Sequence, residues 1–70
     1  MITKRQRDVL QFIKVYTHRN GYCPNYDEIM QGIGLKSKSG VNRLVLELEQ
    51  RGFIRRLPGQ SRAIEILRLP

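Results

Sequence analysis

A mainly α fold carrying a small β-hairpin follows from three observations on this 70-residue sequence. Apolar residues recur at helical spacing in three successive stretches. Two short alternating stretches flank Pro58-Gly59-Gln60, with the period of strands around a turn. A Thr, Asn or Ser stands ahead of each helical stretch and a Gly after it, which marks three starts and three stops. Helix, helix, turn, helix and hairpin in that order is the plan of a three-helix winged helix-turn-helix. A chain this short buries only about 60% of the surface its unfolded form exposes, so residues 1–70 are expected to form one domain around one core.

The first helix starts at Thr3, whose hydroxyl caps the exposed amides while Gln6 reaches back to complete a capping box. Val9, Leu10, Phe12, Ile13 and Tyr16 supply its apolar face, Gly21 closes it, and Lys4, Arg5, Arg7, Lys14 and Arg19 leave the outer face charged. A second, short helix is capped by Asn25, with Glu28 at its third position and acidic residues in the favourable first turn. It carries Ile29 and Met30 inward and ends at Gly32-Ile33-Gly34-Leu35, where two glycines bracket a tight connection. Ser37 caps the third helix; Val41, Leu44, Val45 and Leu48 follow at i, i+3, i+4 and i+7, and Gly52 stops it. Phe53 to Leu57 and Ala63 to Leu67 then read as the two strands, with Ile54, Leu57, Ile64 and Ile66 directed at the helices.

Thirteen Lys and Arg against six Asp and Glu leave a formal charge of +7, which makes nucleic acid the first partner to consider. A membrane surface fits poorly, because no basic amphipathic helix with a bulky apolar face and no lipidation signal is present. The charged start MITKRQRDVL is no export signal, and a cytoplasmic chain is the default. Cys23 is the sole cysteine and His18 the sole histidine, so neither a disulfide nor a zinc site is expected. Cys23 reads as a partly buried loop thiol and His18 as an exposed helical residue. No nucleophile motif or paired acid and base points to an enzyme, and no motif points to a cofactor.

From Ile29 to Leu46 there is no acidic residue. Lys36, Lys38 and Arg43 sit in that window on the turn and first turns of the third helix, with Ser37, Ser39 and Asn42 as uncharged hydrogen-bonding groups. This is the part of a helix-turn-helix that enters the major groove, while small residues such as Ser39 and Gly40 permit close approach. The hairpin adds Arg55, Arg56 and Arg62, and Gln60, Ser61 and Arg62 beside its turn are expected on the phosphate backbone. The reading is double-stranded DNA binding with the recognition helix spanning 38–51 and the wing 53–67. The alternatives are a protein-docking or an RNA-binding module. A docking surface would need exposed apolar anchors, and here the core pattern claims the large apolar residues. RNA binding would need an exposed aromatic platform, for which only Tyr16, Tyr22 and Tyr26 are available.

Five stretches of the chain together resemble the amino-terminal DNA-binding domain of LexA repressors. They are Thr3 to Ile13 (TKRQRDVLQFI), Gly21 to Ile29 (GYCPNYDEI), Gly34 to Ser37 (GLKS), Leu48 to Phe53 with Arg51-Gly52, and Ser61-Arg62-Ala63-Ile64. The resemblance implies a bacterial or phage transcriptional repressor domain, with the third helix reading the groove and the wing touching the backbone. It departs at the start of that helix, where such repressors usually carry Pro and Asn followed by small and acidic residues and this chain has Lys38-Ser39-Gly40-Val41-Asn42-Arg43. The family's usual operator is therefore not carried over. LexA repressors also continue into a self-cleaving peptidase domain, which these residues do not include; a piece of a longer regulator and a free-standing relative are both compatible. No dedicated dimerisation element is evident, so a monomer that pairs with a second copy on DNA, if at all, is expected.

Overall fold

The structure, a computed structural model, describes residues 2–57 and 64–69. Three helices, α1 (Lys4–Asn20), α2 (Tyr26–Ile33) and α3 (Lys38–Gln50), precede strands β1 (Ile54–Arg56) and β2 (Ile64–Ile66). The strands pair antiparallel with Ile54 opposite Ile66 and Arg56 opposite Ile64. The element order is that of a winged helix-turn-helix.

The local signals act as the sequence implies. Thr3 and Gln6 form a complete capping box on α1, and Asn25 and Glu28 do so on α2. The Ser37 hydroxyl accepts from the Gly40 amide at the start of α3. Gly34 closes α2 at φ +77, a left-handed conformation that an L side chain rarely adopts and that turns the chain toward α3. Gly32, expected in that turn, lies instead inside α2. A β-carbon there would run into the ring of Phe12, so any side chain at this position obliges that ring to shift where α1 meets α2.

One core joins all the helices to the hairpin. Val9, Leu10 and Ile13 of α1, Ile29 of α2, Val41, Val45 and Leu48 of α3, and Phe53 and Ile54 at the wing are buried together. Phe12, Met30, Leu44, Ile64 and Ile66 pack half-buried around them. Leu57 is the exception among the expected wing anchors, being exposed. Strand residues alternate between faces, so a residue three beyond inward-facing Ile54 belongs to the outer face with Arg55. Val15, Leu67 and Leu69 are exposed too, and the core thus does not claim every large apolar residue.

The wing is tied to α3 by polar contacts as well. Both oxygens of Glu49 serve β1, one accepting from the Arg56 amide at 3.2 Å and the other from Arg56 Nε at 3.0 Å. A hydrogen bond to Tyr26 and the attraction of Glu49 raise the Arg56 pKa above its ordinary value against the opposing effect of burial. Cys23, a buried thiol, accepts from the Ile64 amide at 3.3 Å and so touches the start of β2.

Two pairs of substitutions check this packing. Leu48→Ala should cost about 2–5 kcal/mol in chemical denaturation, as truncation of a fully buried leucine does, and the half-buried Leu44→Ala distinctly less. Gly40→Ala meets only ordinary contacts, 3.6 Å to Leu35 and 3.7 Å to Ser37, and should raise stability by about 0.5–1 kcal/mol. Gly32→Ala should instead lower it by about 1–3 kcal/mol, because the Phe12 ring must move. Equal melting temperatures for the two alanine variants at glycine would contradict the α1–α2 approach described here.

Candidate nucleic-acid interface

The tip of α3 presents one contiguous polar surface. Lys36, Ser37, Lys38, Ser39, Asn42 and Arg43 are all exposed. Ser39, Asn42 and Arg43 share a face at i, i+3 and i+4. The two serine hydroxyls lie 3.1 Å apart, which orders the first turn without covering it. Gly40 is directed the other way, against Leu35 and Ser37, so the close approach expected from Ser39 and Gly40 together rests on Ser39. Gln60, Ser61 and Arg62 lie outside the described residues.

Charge at the tip is less one-sided than the sequence implies. The first turn of α2 brings Asp27 to the acid-free window, and its Oδ2 lies 3.1 Å from Lys38 Nζ. Arg43 Nε lies 4.0 Å from Glu47 Oε2, one turn further along α3. Both pairs are largely exposed, and such pairs contribute about 0–1 kcal/mol, little enough for either cation to exchange its partner for a phosphate or a base. Lys36 makes no ion pair with a described residue. The N-terminus of α3 adds its own positive end of the helix dipole to this surface.

The arginines of the hairpin are differently placed. Arg55 pairs across the strands with Glu65 at 2.6 Å, and Arg56 is held by Glu49. Both arginines expected in the described part of the wing are therefore paired, Arg55 within the hairpin and Arg56 with α3. The aromatic residues form no base-stacking platform. Tyr16 donates to Glu28 at 2.7 Å, and Tyr26 is half-buried against the core, leaving Tyr22 as the exposed ring of the three tyrosines.

What holds α3 in position was not legible in local sequence. Gln6 is 5% exposed, and its amide oxygen accepts from the Thr3 amide at 3.1 Å and from Arg51 Nη1 at 3.0 Å. Its amide nitrogen donates to Glu47 Oε1 at 3.0 Å. One side chain thereby closes the start of α1 and grips α3 at two points. Arg5 adds a bond from Nη1 to the Ile33 carbonyl at 2.9 Å, tying α1 to the end of α2. The partners of Gln6 stand 41 and 45 positions away, so only the tertiary structure could reveal them.

A helix-turn-helix whose second helix ends in an exposed tip of amide, hydroxyl and cationic groups, followed by a hairpin, defines a winged DNA-binding domain. Residues 1–63 match the LexA DNA binding domain family. Along its full length the chain is 50% identical to the LexA repressor of Cereibacter sphaeroides and 49% identical to that of Novosphingobium aromaticivorans. It spans 31% and 30% of those two proteins. The chain belongs to the LexA DNA-binding domain family.

The double role of Gln6 can be separated by charge. Gln6→Glu retains an acceptor for the Thr3 amide and so keeps the capping box, but it removes the donor to Glu47 and sets two carboxylates together. Thermal melts should show a loss of about 1–3 kcal/mol, the cost of an unmade buried hydrogen bond. Unchanged stability would mean that only the cap matters.

Proposed function

We propose that residues 1–70 act as the sequence-reading domain of a LexA-type transcriptional repressor, with α3 in the major groove and the wing on the phosphate backbone. The observation that carries this is the joint exposure of Lys36, Ser37, Lys38, Ser39, Asn42 and Arg43, groups that recognise base edges and phosphates, on the cap and first turns of α3. Both relatives named above are LexA repressors, and repression is carried to this chain from them.

Asn42 and Arg43 are assigned to base edges, since these side chain types pair bidentately with adenine and guanine. Lys36, Ser37, Lys38 and Ser39 are assigned mainly to phosphates flanking the helix tip, with Gln60, Ser61 and Arg62 contacting the backbone from the wing. Lys38 leaves Asp27 on binding, and Arg43 leaves Glu47. The domain works as a monomer that meets a second copy on a two-part site.

Selection from a random duplex library, followed by titration of the selected and a scrambled site over a range of salt, tests this reading. About five phosphate contacts correspond to a slope of log affinity against log salt of about −4 to −5. Asn42→Ala or Arg43→Ala should cost about 1–3 kcal/mol on the selected site and relax preference at particular base positions. Arg62→Ala should weaken both duplexes alike and reduce the salt slope by about one. A flat salt response, or equal affinity for single-stranded RNA, would reject the assignment.

A further inference from the structure

Two of the apolar side chains that the core leaves exposed, Val15 and Leu69, stand on grooves that share no residue with the tip of α3. Between the C-terminal half of α1 and β2 lies an open groove of about 750 Å3. Its apolar surface comes from Val15, Ile64, Ile66 and Leu69. Val15 is 39% exposed and Leu69 47% exposed. A second groove of about 300 Å3 adjoins it, shares Lys14 and Leu69 with it, and runs back along α1 to Arg7. No residue of α2 or α3 lines either one.

The charge around the grooves selects the partner. Lys14 and Arg19 stand on the first groove and Arg7 on the second. Glu65 is the one carboxylate among the residues that line them, and it is engaged by Arg55 at 2.6 Å. The field over the apolar floor is therefore positive. Arg7, Gln11, Lys14 and His18 follow one another at i, i+4, i+7 and i+11, so the two grooves form a continuous lane along one side of α1. From Arg7 to Arg19 the helix rises about 18 Å, the length of roughly three turns of a helix laid alongside. A second copy of this chain fits poorly, because it would bring +7 against +7.

We infer that the lane between α1 and β2 is a docking site for an acidic amphipathic helix of another protein, whose apolar ridge covers Val15 and Leu69 while its carboxylates meet Arg7, Lys14 and Arg19. It shares no residue with the tip of α3, and from the wing it uses β2 and not Gln60, Ser61 or Arg62, to which the backbone contacts are assigned, so a partner can sit there while α3 occupies DNA. The inference does not depend on which residues read the bases.

The test titrates the isotope-labelled chain with a synthetic capped peptide of about three helical turns, leucines at i, i+3, i+4 and i+7 and glutamates between. Amide shifts are expected within residues 7–19 and 64–69 and not within residues 36–43. Replacing the glutamates of the peptide by lysines should weaken binding by about ten-fold or more, and so should Val15→Glu or Leu69→Ser in the chain. Both positions are exposed, so the two variants should keep the parent's melting temperature, and their affinity for duplex DNA should stay within about two-fold. Four outcomes would overturn the inference: no shifts at all, equal binding of the lysine peptide, shifts centred on residues 36–43, or displacement of the peptide by duplex DNA. Self-association in sedimentation that Val15→Glu abolishes would also overturn it, since the lane would then belong to a second copy.

Discussion

Gln6 occupies the position on which the geometry of the domain turns. Apolar packing among Val9, Leu10, Ile13, Val45 and Leu48 holds α1 against α3 but is weakly directional, and helices packed that way can slide or rotate at modest cost. The three hydrogen bonds of one buried amide remove that freedom. They join the capped start of α1 to Glu47, in the last turn of α3, and to Arg51, which caps that helix. Asn42 and Arg43 lie about one turn ahead of Glu47 on the same helix, so a rotation of α3 at these anchors would carry both with it. Neither the nitrogen nor the oxygen of this buried amide lacks a partner, and a partnered buried group can order a structure without destabilising it.

The ion pairs divide into two kinds with different consequences. Glu49 binds both the backbone and the side chain of Arg56 and so anchors β1 to α3, a contact built into the fold. Lys38 with Asp27 and Arg43 with Glu47 are exposed single contacts, of the type that contributes little to stability and is screened by salt. Glu47 belongs to both kinds, because one of its oxygens accepts from Gln6 while the other faces Arg43. The residue that fixes α3 thus also restrains the arginine next to its reading surface, without locking it.

Within one small core the molecule keeps two separate surfaces. The helix-turn-helix presents polar groups at the start of α3, where the turn after Gly34 and the cap at Ser37 expose them. The opposite side of α1, with β2 and Leu69, presents apolar groups under a basic rim. A positive net charge serves both, since DNA and an acidic helix are each polyanionic; the chemistry under the charge distinguishes them. Hydrogen-bonding groups lie at the first and branched aliphatic side chains at the second.

Sequence alone determined what depends on residues close together in the chain. Capping by Thr3 with Gln6, Asn25 with Glu28, and Ser37, the 3.6-residue stripe of α3, and the exposed polar face of Ser39, Asn42 and Arg43 are all local, because a cap or a helix face is set by neighbours within one or two turns. The outward face of Leu57 is local too, since it follows from strand alternation counted from Ile54. Tertiary structure decided everything that joins distant positions: the place of Gly32 under the Phe12 ring, the Asp27 carboxylate at Lys38, the neutralisation of Arg55 and Arg56, the grip of Gln6 on α3, and the lane beside α1. These depend on how helices cross and how closely they approach, and that is set by the fit of side chains from different segments, which no local pattern encodes.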